Sequence, residues 1–135
     1  MTVAVAHQVS SASRQAALEV AAREAKLRGG DLAVLHIVDN LDLDVGEAYQ
    51  QGVSDEVEGV LHAIGAEGLT WTLHLGVGED DVADKVLDLA RQVSAEVLVI
   101  GARRRSPMGK FLLGSVTQTL ILEADIPVVV VKPAR

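Results

Sequence analysis

The sequence predicts an α/β fold: an open five-stranded parallel sheet with helices on both faces. Three observations lead there. Short apolar, β-branched runs alternate strictly with segments of helical spacing, in the order β-α-β-α-β-α-β-α-β, and such alternation implies parallel strands joined by right-handed helical crossovers. The runs LAVLHIV (Leu32 to Val38) and VLVI (Val97 to Ile100) are nearly continuous in apolar character, as strands covered on both faces are. The length, 135 residues, is that of one domain, so a single domain over residues 1–135 is expected.

TVAVA, from Thr2 to Ala6, is the first strand. From Ser13 to Arg28 the pattern turns helical, with Leu18, Ala21, Ala22 and Ala25 at i, i+3, i+4 and i+7, and Gly29-Gly30 ends the helix. Leu32 to Val38 is the second strand. Val53, Val57, Val60 and Ile64 mark the second helix, closed by Gly65 to Gly68. Between them, Asp39 to Gln51 mixes acids, Gly and amides, and reads as a loop or as the frayed start of that helix. TWTLHL, from Thr70 to Leu75, is the third strand. Val82, Val86, Leu89, Ala90 and Val93 mark the third helix, and Glu79, Asp80 and Asp81 are placed at its first turn, where anions suit the helix dipole. Val97 to Ile100 is the fourth strand, Ser115 to Ala124 a short helix, and Pro127 to Lys132 (PVVVVK) the fifth strand.

Composition narrows the function. Of the residues, 49% are hydrophobic, yet there is one Trp, one Tyr and one Phe, so the core must be Val, Leu, Ile and Ala. No cysteine is present, which excludes disulfides and thiolate chemistry. A net charge of -7 argues against general nucleic-acid binding, which needs a basic footprint. No apolar run approaches the roughly 20 residues of a membrane span. The start, MTVAVAHQ, lacks the features of a secretory signal. A cytoplasmic protein bound to neither membrane nor nucleic acid is expected.

Against this acidic background, GARRRSPMGKFLLGSV (Gly101 to Val116) carries four cations and no anion. In an open parallel sheet, ligands bind beyond the carboxyl ends of the strands, and this loop leaves the fourth strand. Gly114-Ser115 opens a helix whose N-terminal N–H groups favour anions. Arg103, Arg104, Arg105 and Lys110 add charge suited to phosphate. The loop therefore reads as a phosphate cradle. The competing reading is a capping box, Ser115-x-x-Gln118, that satisfies those N–H groups without a ligand.

The same stretch keeps the spacing of a degenerate G-x2-G-x9-G-[S/T] pattern, with Gly101 first, Gly114-Ser115 last and Arg104 at the second glycine. With LLGSV and the closing IPVVVVKP, the chain resembles the universal stress protein family over essentially its whole length. The resemblance implies an adenine nucleotide alpha hydrolase-like, doubly wound sheet with strand order 3-2-1-4-5. It implies adenine-nucleotide binding, most simply ATP with Mg²⁺, with AMP or cyclic AMP as alternative occupants, in stress response or signalling. Carried over by position, Ile100, Gly101 and Arg103 would line ribose and phosphate, Gly114, Ser115 and Val116 would hold phosphates, and Ile37 would meet the adenine edge through its backbone. The family's acidic residue after the first strand falls at Gln8, and its second glycine at Arg104; both are departures. A homodimer through the last strand, Pro127 to Lys132, is implied as well.

Other constellations point to no chemistry. His7, His36, His62 and His74 form no close ligand spacing, so a metal site is not expected. His36 reads as structural and His7 as a solvated loop residue. Asp39 is a candidate to face a ribose or a metal-bound phosphate. No G-x-G-x-x-G, P-loop or nucleophile elbow occurs, and no nucleophile–base pair is recognisable. No catalytic residue is assigned. The rival functions are an interaction module of the same fold that binds no nucleotide, and a slow ATPase.

Overall fold

The computed structural model describes residues 1–8, 13–38, 44–102, 104–105, 111–112 and 114–132. Five parallel strands form one sheet: β1 (Thr2–Gln8), β2 (Asp31–Val38), β3 (Trp71–Val77), β4 (Val97–Gly101) and the last strand, β7 (Val128–Val131). Their order is β3-β2-β1-β4-β7, the expected one with the last strand at one edge. Two short strands, β5 (Arg104–Arg105) and β6 (Phe111–Leu112), pair antiparallel as a separate ribbon that the sequence reading did not anticipate.

Four helices alternate with the strands: α1 (Arg14–Arg28), α2 (Glu47–Ala63), α3 (Val82–Gln92) and α4 (Ser115–Glu123). Strand side chains alternate between faces. Val3 and Val5 of β1 join Leu18 of α1 and Val57 and Leu61 of α2 in one apolar layer. Ala4 of β1 and Leu35 of β2 join Val86 of α3 and Leu120 of α4 in the other. Each face thus covers a strand surface of small and branched residues, which a chain nearly without aromatic residues can pack.

Most element limits follow local chemistry. Leu18, Ala21, Ala22 and Ala25 are all fully buried, as the spacing in α1 predicts. Gly29 ends α1 in the left-handed region at φ 66, and the N–H of Gly30 reaches back to the Ala25 carbonyl at 2.9 Å, a closing pattern that favours glycine. Three helix features differ from expectation. α2 begins at Glu47, earlier than its first apolar position, so part of the Asp39 to Gln51 stretch is regular helix. α3 begins at Val82 with Asp81 as its cap residue, so Glu79 and Asp80 precede the first turn instead of lying in it. On α3 it is Leu87 that is buried, while Leu89 is only partly so.

Candidate functional site

The chain reverses its winding direction between β1 and β4. From β1 the chain moves through α1 to β2 on one side, and from β4 through α4 to β7 on the other. The carboxyl ends of β1 and β4 therefore flank the crevice where open α/β sheets bind ligands. β1 ends at Gln8, which lies directly beside Ile37 of β2 in the ladder. The Ile37 side chain is fully buried and packs toward α3, so its backbone is the part nearest the crevice that a ligand would read.

β4 ends at Gly101, and several contacts meet there. The Ser13 hydroxyl, just before α1, donates to the carbonyl of Ala102. The Thr117 hydroxyl, in the first turn of α4, reaches the Gly101 carbonyl at 3.4 Å. The Ala102 N–H donates to the Val131 carbonyl of β7 at 2.7 Å. A Cβ on Gly101 would overlap the Ser13 hydroxyl, so glycine is required for close packing of α1 against β4. Gly101, Ile100, Gly114, Ser115 and Val116 are thereby drawn to one corner. Asp39, Arg103 and Lys110 lie outside the described residues.

Two alternatives left open by the sequence are decided by the backbone. Gly114 is the cap residue of α4 and has no side chain with which to cap it; Ser115 is the first helical residue, so Ser115-x-x-Gln118 is one position out of register for the capping box. The first intrahelical bond runs from the Gln118 N–H to the Gly114 carbonyl at 3.0 Å, which leaves the preceding N–H groups without an intrahelical acceptor. Arg104, which replaces a motif glycine, lies in extended β5 opposite Leu112. Among the described residues Ser94 is the one non-glycine with positive φ, so Arg104 needs no strained backbone. Beside the α4 N-terminus opens a cleft of about 370 Å³, with Glu79, Asp80, Val82 and Ala83 on one wall and Ser115, Val116 and Thr119 on the other.

A second polar centre lies under the carboxyl ends of β1 and β2, and here the expectation for His7 fails. His7 is not a solvated loop residue; it belongs to β1 and is fully buried. It lies opposite His36 in the ladder, and their Nδ1 atoms approach to 2.7 Å. His7 Nε2 meets a Glu56 oxygen at 2.7 Å, and Arg14 donates to the other Glu56 oxygen at 2.7 Å. His36 Nε2 meets the Tyr49 hydroxyl at 2.6 Å. Burial pushes the His7 imidazole below its ordinary value, and the Glu56 carboxylate opposes this only in part. His36 is pushed down to about 4, first by burial and then by the neighbouring His7 and Arg14.

The sequence held a signal for this cluster that went unread. Val3, Val5 and His7 alternate onto one face of β1, and Val34 and His36 continue that face on β2. Tyr49, Val53, Glu56 and Val60 fall at helical spacing on α2.

A doubly wound sheet whose switch point lies beside a glycine-capped helix N-terminus is an open α/β architecture that binds ligands at the carboxyl ends of its strands. The family model of the universal stress protein family matches residues 1–132, and the chain belongs to that family. It is 38% identical over 122 residues to a universal stress protein of Mycolicibacterium smegmatis, covering 88% of each chain. Among solved structures, a universal stress protein from Archaeoglobus fulgidus aligns with TM-score 0.72 and 32% identity over 96% of this chain and 97% of that one. The Archaeoglobus fulgidus universal stress protein in complex with dAMP aligns with TM-score 0.69 and 28% identity over 96% of each chain.

Proposed function

We propose that this chain, as a single domain over residues 1–135, binds an adenine nucleotide in the crevice between β1 and β4, with the phosphates at the N-terminus of α4. The observation that carries the reading is the glycine-capped N-terminus of α4, whose first turn is packed against Gly101 through Thr117. The dAMP complex of a 28% identical relative supports it. In this reading Ile37 and Gln8 flank the base, Asp39 faces the ribose or a metal-bound phosphate, and Ile100, Gly101 and Arg103 line ribose and phosphate. Gly114, Ser115 and Val116 donate N–H groups to phosphate, and Arg104 adds charge where the family pattern has glycine. ATP is the occupant that best uses this charge, in a stress or signalling role within the cytoplasm and without dedicated catalysis. Among the described residues no group of three or more His, Asp or Glu side chains could hold a metal ion, so Mg²⁺ would arrive with the triphosphate. Likewise among the described residues, no helix is long and apolar enough to cross a membrane.

Calorimetric titration of nucleotide-free protein with ATP, ADP, AMP and cyclic AMP tests this. Affinity is expected to rise with phosphate count, and Gly114→Asp, which places a carboxylate at the phosphate position, to weaken ATP at least tenfold. Absence of heat with all four nucleotides, in folded protein, would show that the crevice is scaffold in a dimeric interaction module.

We also propose that two copies pair through β7. This strand is a sheet edge and its four valines are only half-buried. Such an edge invites strand pairing unless it is covered. Sedimentation is expected to give a dimer mass for the native chain and a monomer mass for Val129→Lys; a native monomer refutes the pairing.

A further inference from the structure

The five side chains Arg14, Glu56, His7, His36 and Tyr49 form one continuous chain of hydrogen bonds, and its direction is fixed by chemistry. The Glu56 carboxylate only accepts, and it takes a bond from Arg14. His7 must therefore donate from Nε2 to Glu56. A neutral His7 then accepts at Nδ1, so His36 donates from its own Nδ1. That leaves His36 Nε2 as an acceptor for the Tyr49 hydroxyl. Every proton points toward Glu56, and a single N–H fills the gap between the facing imidazoles.

This chain crosses elements. It ties α1 through Arg14, β1 through His7 and β2 through His36 to two points on α2, Tyr49 and Glu56. Among the described residues, the Tyr49 end of α2 buries little surface. From Glu47 to Gly52, Tyr49 alone is partly buried while the rest are exposed. Apolar anchoring of α2 begins at Val53 and strengthens at Val57 and Leu61. Between the two regions stands Gly52, where an added Cβ would meet nothing, so no crowding requires glycine there. A glycine inside a helix costs about 1 kcal/mol relative to Ala, and here it separates the first turn from the anchored remainder.

We propose that this hydrogen-bonded chain is an acid-sensitive latch that holds the first turn of α2 against the sheet and releases it when the His7–His36 pair takes up protons. A first proton creates a buried cation and turns Tyr49 from donor to acceptor. A second places N–H against N–H across the 2.7 Å gap, with no acceptor between them, and the rings must part. Among the described residues, the groups that face the pair are Arg14 from α1 and Tyr49 and Glu56 from α2. His74 of β3 lies beside Leu35 in the ladder, on the opposite face of the sheet. Burial and the mutual repulsion of the two rings keep the latch closed near neutrality. The latch does not depend on the nucleotide reading.

Amide hydrogen exchange on the full chain, expressed as protection relative to the intrinsic rate at each pH, tests it. The Gln50, Gln51 and Gly52 amides are expected to lose at least tenfold protection between pH 7 and pH 4, while those of Val57 to Leu61 keep theirs. Tyr49→Phe should show the low protection at both pH values, because the phenol the chain grips is gone. Joint replacement His7→Val and His36→Leu should remove the pH dependence. Unchanged protection of the first turn down to pH 4 in the native chain would overturn the latch. So would simultaneous loss of protection at Val57 to Leu61, since that is unfolding of the helix as a whole.

Discussion

Glu56→Ala is expected to lower the unfolding free energy at pH 7 by about 2–3 kcal/mol, although Glu56 itself is partly exposed. The cost falls on its partners. His7 is fully buried, and its Nε2 bonds Glu56 at 2.7 Å. Without the carboxylate, His7 can keep its proton on Nε2, which leaves a buried donor unpaired. It can instead move the proton to Nδ1 and reverse the chain toward Tyr49, which leaves a buried acceptor unpaired. Either outcome carries the desolvation penalty of about 1–3 kcal/mol for an orphaned buried group, and the Arg14–Glu56 pair is lost as well. Glu56→Gln retains an acceptor for His7 and should recover most of the loss. In a double-mutant cycle with His7→Val, the two losses should sum to more than the double mutant shows, by about 1 kcal/mol or more. Urea denaturation of the four proteins measures this. Additive losses would show that water reaches His7.

The sheet was legible because each strand carries its own evidence. LAVLHIV can be satisfied only by cover on both faces, and the alternation of strands with helices fixes parallel pairing without knowledge of distant contacts. The start of α2 was less legible. Its first turn is held by Tyr49 through a hydrogen bond to His36, not by an apolar stripe, so hydropathy places the helix nearly two turns too late. The β5–β6 ribbon was invisible for a similar reason: its residues, Arg104–Arg105 and Phe111–Leu112, are too few for a period to show. The corner where β4 ends beside the start of α4 was legible as spacing, from Gly101 to Gly114-Ser115. What spacing could not say is why Gly101 is glycine, since the Ser13 hydroxyl that forbids a Cβ comes from another part of the chain. The imidazole pair was hidden longest. Its existence depends on His7 and His36 sharing one rung of the β1–β2 ladder, and register is a property of two strands that neither states alone.

That pair gives the protein a stability profile with a predictable sign. Both imidazoles titrate below 6.5 in the folded chain, His36 at about 4. In the unfolded chain both regain a value near 6.5. Between these limits the unfolded state binds more protons, so stability is complete above about pH 6.5 and falls as the pH drops toward 4. At 1.36 kcal/mol per unit, His36 alone contributes on the order of 3 kcal/mol over this window. The native curve sums every titrating group, so by itself it does not isolate the pair. The joint replacement His7→Val and His36→Leu does. It removes both partners of the Nδ1 contact together and leaves the Arg14–Glu56 pair in place, the kind of exchange that costs little when shapes are similar. Unfolding curves from pH 8 to pH 4 should therefore converge for the two proteins at the acid end or cross there, with the variant losing less. Should both lose the same amount, the histidines are protonated with water at hand, and their burial does not govern acid stability. If the first turn of α2 opens before the molecule unfolds, His36 regains water early, and the native curve flattens below the pH of that opening.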